Sequence, residues 1–161
     1  MRLVLSHEAI FGPWVEQRIP HLFLDTLGPF VAIGIVDDSD LVRGAALFHS
    51  YAPRYRGIEM SFVLESPRYL SKSVIAGIMA YPFDQLGVLR VSAVTPRSSA
   101  SARRFLETFG FKREGLARSG FGDFGDAVIY GLTPKDWSQS RFNARRLVDG
   151  QEEHAGGARR A

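Results

Sequence analysis

The six residues Arg68-Tyr69-Leu70-Ser71-Lys72-Ser73 follow a strand-like run and open a helix-like one. A helix that begins directly after a strand points unpaired backbone N–H groups and its positive dipole end at the connecting loop. Ser71 and Ser73 are small enough for a ligand to approach the backbone, and Arg68 and Lys72 add cations. That combination suits a pyrophosphate, the anionic part of a phosphate-bearing cofactor. An ordinary N-capped helix with surface cations would carry the same residues. The four histidines (His7, His21, His49 and His154) include no pair three to five residues apart, so no metal site has sequence support. The chain holds no cysteine. Disulfides, thiolate metal sites and a cysteine nucleophile are therefore excluded.

The elements that must position these residues come from a chain of 161 residues, 45% of them hydrophobic and 23% charged, the composition of one soluble globular domain. The net charge of +3 invites a nucleic-acid reading, but residues 138–161 hold five arginines and three acids, leaving 15 bases against 14 acids in the first 137. A nucleic-acid domain concentrates base on its folded part; here the excess sits in a basic segment, expected to be a flexible tail, and nucleic acid is an unlikely partner. No apolar run approaches the roughly 18 residues of a membrane span, and the start lacks the long apolar stretch of a secretory signal. A cytoplasmic domain spanning 1–137 is the expectation.

Within it, Arg2–Leu5 reads as a short strand. A helical stretch follows, with Pro13 as a tolerable first helical residue and Trp14, Val15, Ile19 and Leu22 at helical spacing. Phe30–Val36, Leu41–Tyr51 and Ile58–Glu65 read as an antiparallel meander. In the third of these, Ile58, Met60, Phe62 and Leu64 share one face, and Glu59, Ser61, Val63 and Glu65 the other. A helix is predicted from about Ser71 toward Leu86, a strand over 88–94, a helix over about 99–109 stopped by Gly110, and strands over 111–118 and 127–132.

This order, the loop at 68–73 and the later stretch Ser99-Ala100-Ser101-Ala102-Arg103-Arg104-Phe105-Leu106-Glu107-Thr108-Phe109-Gly110-Phe111-Lys112-Arg113-Glu114-Gly115 resemble the GNAT N-acetyltransferase superfamily. Within it the chain is most similar to the branch that acetylates ribosomal-protein N-termini and to its short bacterial and phage relatives. The Gly-Phe-x-x-Glu-Gly element at 110–115 is the most specific match, supported by Tyr81-Pro82-Phe83-x-x-Leu86-Gly87 and by Asp126 with Tyr130-Gly131. The resemblance covers roughly residues 28–137.

The resemblance implies an α/β (α+β) fold: a mixed central sheet with helices on both faces, and a coenzyme A cleft where the third and fourth long strands splay apart. It implies transfer of acetyl from acetyl-CoA to an amine. Phe62, Val63 and Leu64 would pair with the pantetheine arm. The family's pyrophosphate pattern maps onto Arg68, Ser71 and Ser73, with serine at both glycine positions and with Leu70 and Lys72 between them. Ser99, Ala102 and Arg103 would meet the cofactor from the second helix. Chemistry on an ammonium needs a base, and Glu59, four residues before Val63, resembles the catalytic glutamate of several family members; Glu65 is the weaker candidate. The family's usual proton-donating tyrosine corresponds to Leu106, which cannot donate a proton; Ser101, Tyr130 or water could take its place, and the acid is unassigned. His49 could face the acceptor pocket or simply pack, and Phe121 and Phe124 could line a substrate entrance. The expected partner is an amine acceptor, either a protein N-terminus, a lysine or a small molecule, with a homodimer as a further expectation. A non-catalytic acyl-CoA-binding or interaction module on the same fold is the alternative.

Overall fold

The computed structural model describes residues 1–143. Seven strands form one sheet: β1 (Arg2–Leu5), β2 (Phe30–Val36), β3 (Val42–Ala52), β4 (Gly57–Leu64), β5 (Arg90–Pro96), β6 (Lys112–Ala117) and β7 (Ala127–Leu132), in the order β1-β2-β3-β4-β5-β7-β6. The β4–β5 pair is parallel and every other pair antiparallel. The helices are α1 (Glu8–Glu16), the single turn α2 (Leu24–Leu27), α3 (Lys72–Ala80), α4 (Ala100–Phe109) and α5 (Pro134–Gln139).

The alternation along β4 determines what each face of the sheet buries. Ile58 and Met60 join Val74, Ile75, Ile78 and Met79 of α3 and Leu106 and Phe109 of α4 in the larger core cluster, with Phe62 and Leu64 packed against it. On the opposite face Val63 packs against a second cluster of Phe11, Val15, Leu22, Ala45 and Leu47, which holds down α1 and the chain after it. β2 is buried on both faces from Ala32 to Val36, which is why its sequence is a continuous apolar run rather than an alternating one. The turn after it is held by Asp37, whose carboxylate accepts the backbone N–H groups of Ser39 (2.9 Å) and Leu41 (3.0 Å).

Three features differ from the expectation. α1 begins at Glu8, and Pro13 lies inside it rather than at its first position. The local loss of one backbone donor is outweighed by packing, since Phe11 and Val15 are buried on either side of the proline. The helix after the Arg68 loop is α-helical only to Ala80 and continues as a π-helical turn over Tyr81–Gln85. Finally, packing does not stop at Trp137: Phe142 joins the larger cluster, the Ser140 hydroxyl donates to the Phe109 carbonyl (2.9 Å) and the Asn143 amide donates to that of Trp137 (3.1 Å). The remainder of the expected basic tail lies outside the described residues.

Candidate active site

The site is made by a parting of the sheet. β4 and β5 pair only at Gly57–Arg90, Ile58–Val91 and Glu59–Ser92. Beyond Glu59, β4 stays bonded to β3 as far as Leu64, while β5 stays bonded to β7 through Pro96. The edge of β4 from Met60 to Leu64 therefore turns backbone amides toward a gap instead of a strand. A cavity of about 1200 Å³ fills the gap and is lined by residues from both faces of the sheet.

Glu59 stands where the strands separate and lines this cavity. Its carboxylate has no hydrogen bond or ion pair among the described residues, and burial pushes its pKa up from the ordinary carboxylate range. His49 is directly opposite it on β3 and 4% exposed. The two nitrogens of that ring are both engaged, Nε2 with the Ser61 hydroxyl (3.0 Å) and Nδ1 with that of Ser50 (3.1 Å). Burial lowers its pKa, so the imidazole is held toward its neutral form. A bulge after His49, with Ser50 at φ +54°, brings that second hydroxyl back to the ring. Glu65, by contrast, is neutralised by Arg43 (2.9 Å) and Arg18 (3.7 Å) and does not line the cavity.

Phe62, Val63, Leu64, Leu70, Ser99 and Ala102 all line the cavity with Glu59. Phe62 is stacked on Phe105 of α4 (5.0 Å between centroids, 10° between planes), fixing the α4 side of the gap. Arg68, Ser71, Lys72 and Ser73 are gathered at the N-terminus of α3, just outside that lining. Ser71 caps the helix, accepting the Val74 N–H at 3.2 Å, and lies 3.0 Å from the Ser73 hydroxyl. Its φ of −112° is extended backbone that any residue adopts, so this loop does not call for glycine at position 71. Arg68 lies against the Tyr69 ring and donates to its hydroxyl. Arg103 does not reach the cavity; its neighbour Arg104 does. Leu106 lines it and is almost fully buried. Ser101 also lines the cavity, whereas Tyr130 is fully buried away from it and donates to Glu107 at 2.9 Å.

Sequence reasoning missed His21 and Phe23, which form a wall of the cavity together with Phe121 and Phe124. The usable signal is Pro20, which lies four residues beyond the end of α1 and keeps the chain from resuming a helix there, so that the next residues can turn toward the sheet. His21 sits against Phe121 with 4.4 Å between ring centroids and against Phe124 at 6.4 Å.

The comparisons with known proteins agree with this architecture. No protein-family model matches the chain. The chain is 28% identical over 85 residues to the uncharacterized N-acetyltransferase YoaA of Bacillus subtilis, a match covering 51% of this chain and 48% of that protein. The chain thus spans about half the length of the curated relative it matches. Among solved structures it superposes on a mutant form of the spermidine/spermine N-acetyltransferase SpeG of Vibrio cholerae with a TM-score of 0.69 at 11% identity, covering 86% of this chain and 97% of that one. Another SpeG mutant aligns with a TM-score of 0.66 at 12% identity, covering 91% and 99%. The fold is that of the GNAT N-acetyltransferases. No helix among the described residues is long and apolar enough to cross a membrane.

Proposed function

We propose that the chain is an acetyl-CoA-dependent N-acetyltransferase that moves an acetyl group directly to an amine held beside Glu59. One observation carries the reading: the sheet opens at Glu59, so that an unpartnered, desolvated carboxylate and a free strand edge face the same cavity. Names and folds of the similar proteins support the reaction class, and fold alone does not establish it.

The residues fit the cofactor. Backbone N–H and C=O groups along Met60–Leu64 need partners, and the amide-bearing pantetheine arm can supply them as an added strand would. The start of α3, with Arg68 and Lys72, offers the pyrophosphate cations and helix N–H groups. When bound, acetyl-CoA supplies an acyl group activated as a thioester. Glu59 takes the proton from the acceptor's ammonium, directly or through water, and frees the lone pair for attack on the acyl carbon. The neutral His49–Ser61 pair keeps a second charge away from that carboxylate. Ser101, the α4 hydroxyl in the cavity, or water supplies the proton for the departing sulfur, because Leu106 has none to give and Tyr130 is committed to Glu107.

The test is calorimetric titration with acetyl-CoA, followed by thiol release against a panel of amines. Binding is expected, and Lys72→Glu with Arg68→Glu should weaken it at least roughly tenfold, the loss of a charge-assisted contact of about 1.5 kcal/mol or more. No binding overturns the reading. Binding with no thiol release for any amine assigns the chain instead to the non-catalytic acyl-CoA-binding class. The resemblance to the ribosomal-protein branch makes a peptide N-terminus one member of the panel.

A further inference from the structure

The two halves of the cavity differ in character, and the difference bears on what the acceptor is. On the α1–α2 face, Leu22 is buried in the smaller core cluster beside Leu47 and Val63. That anchoring sets His21 and Phe23 on the same side of the sheet as Glu59. Phe121 and Phe124, from the β6–β7 connection, close onto His21 and complete an aromatic wall. Phe23 and Phe124 remain 49% and 46% exposed, an expense of apolar surface that their packing does not explain.

The charges are equally informative. Among the residues lining the cavity, Glu59 is the one carboxylate. Arg18 is the cation on this face, stacked on the Trp14 ring at 3.8 Å and paired with Glu65 at 3.7 Å. Burial holds His21 toward its neutral form, so the wall adds no positive charge. An acceptor with several ammonium groups would find a counter-charge for one and leave the others desolvated beside apolar rings, an unfavourable burial. An amine with one ammonium and a ring-sized apolar body satisfies both halves. Its nitrogen reaches Glu59, its body covers the exposed rings, and the ring faces attract the cation on the way in.

We propose that the acceptor is a monoamine whose amino group is carried on an aromatic or bulky apolar body, selected by His21, Phe23, Phe121 and Phe124, and not a polyamine. The inference rests on the acetyltransferase reading. Its chemistry is shared by two sources, a small arylalkylamine and a peptide with an aromatic first residue.

Thiol release is measured with 2-phenylethylamine, a phenylalanine-led tripeptide amide, butylamine and spermidine, alongside calorimetric binding of the first two. Either aromatic amine should exceed butylamine and spermidine in kcat/KM by at least roughly tenfold, since its ring covers apolar surface that the other two leave in water. The better of the two identifies the source. Phe124→Ala, at a half-exposed position, should raise the aromatic acceptor's KM and Kd by roughly tenfold and so narrow its kcat/KM advantage over butylamine. Equal or higher kcat/KM for spermidine or butylamine overturns this inference while the acetyltransferase reading stands. No turnover of any amine overturns both.

Discussion

Glu59→Gln is expected to lower kcat by roughly 10²–10⁴-fold, the usual worth of a positioned general base, while leaving the affinity for acetyl-CoA nearly unchanged. The amide keeps the shape of the carboxylate and cannot take a proton. Because burial raises the Glu59 pKa, the acid limb of the wild-type rate profile should lie above the ordinary carboxylate range, with activity falling as the pH drops through it. The same shift has a stability consequence of opposite sign. A carboxyl group whose pKa is higher folded than unfolded favours folding while it is protonated, and that contribution is lost as the pH rises through the folded value. Once the pH exceeds that value the ionised Glu59 is a liability, and there Glu59→Gln should melt at a higher temperature than wild type. The gap should close at acid pH, where both side chains are neutral. A variant that keeps its turnover, or that melts lower above that value, would show that Glu59 is an ordinary strand residue. A gain in stability coupled to a loss of rate is what a desolvated catalytic carboxylate produces.

What could be read from the sequence is divided by the range of the interactions involved. β2 and β7 have the bounds that their apolar runs predict, and the alternation in β4 correctly assigned Ile58 and Met60 to one face and Val63 to the other. Gly110 ends α4 at φ +105°, a local signal with a local cause. The parting of β4 from β5 has no signature in either strand. It is a relation between two segments, and here it was expected from family resemblance rather than from periodicity. The aromatic wall is less legible still. His21 and Phe121 meet across most of the chain, and neither spacing nor composition links them. Arg103 and Arg104 illustrate the limit within one helix: adjacent residues point in different directions, and only the packing of Phe105 on Phe62 decides that Arg104 faces the cavity.

Gly34→Ala should be among the most damaging single substitutions in the domain, and its effect should reach the acceptor side of the cavity. A Cβ at position 34 would lie 2.1 Å from Cζ of Phe11, with two further ring carbons within 2.6 Å. Phe11 is 2% exposed and forms the contact by which α1 sits on the sheet. Its ring has nowhere to go except outward, carrying α1 with it. The cost should be about 3 kcal/mol, the upper end of overpacking penalties, read as a lowered denaturation midpoint. α1 leads into the segment that holds His21 and Phe23, whereas α3 packs on the other face. The folded fraction of the variant should therefore show a raised acceptor KM with little change in acetyl-CoA affinity. The mechanism is testable by rescue. Phe11→Leu alone leaves a void over Gly34 and should destabilise, but in the Gly34→Ala background the smaller side chain makes room for the new methyl. The double variant should be more stable than Gly34→Ala, giving a coupling energy above about 0.5 kcal/mol. Additive losses would mean that the glycine is needed for something other than the seat of the Phe11 ring.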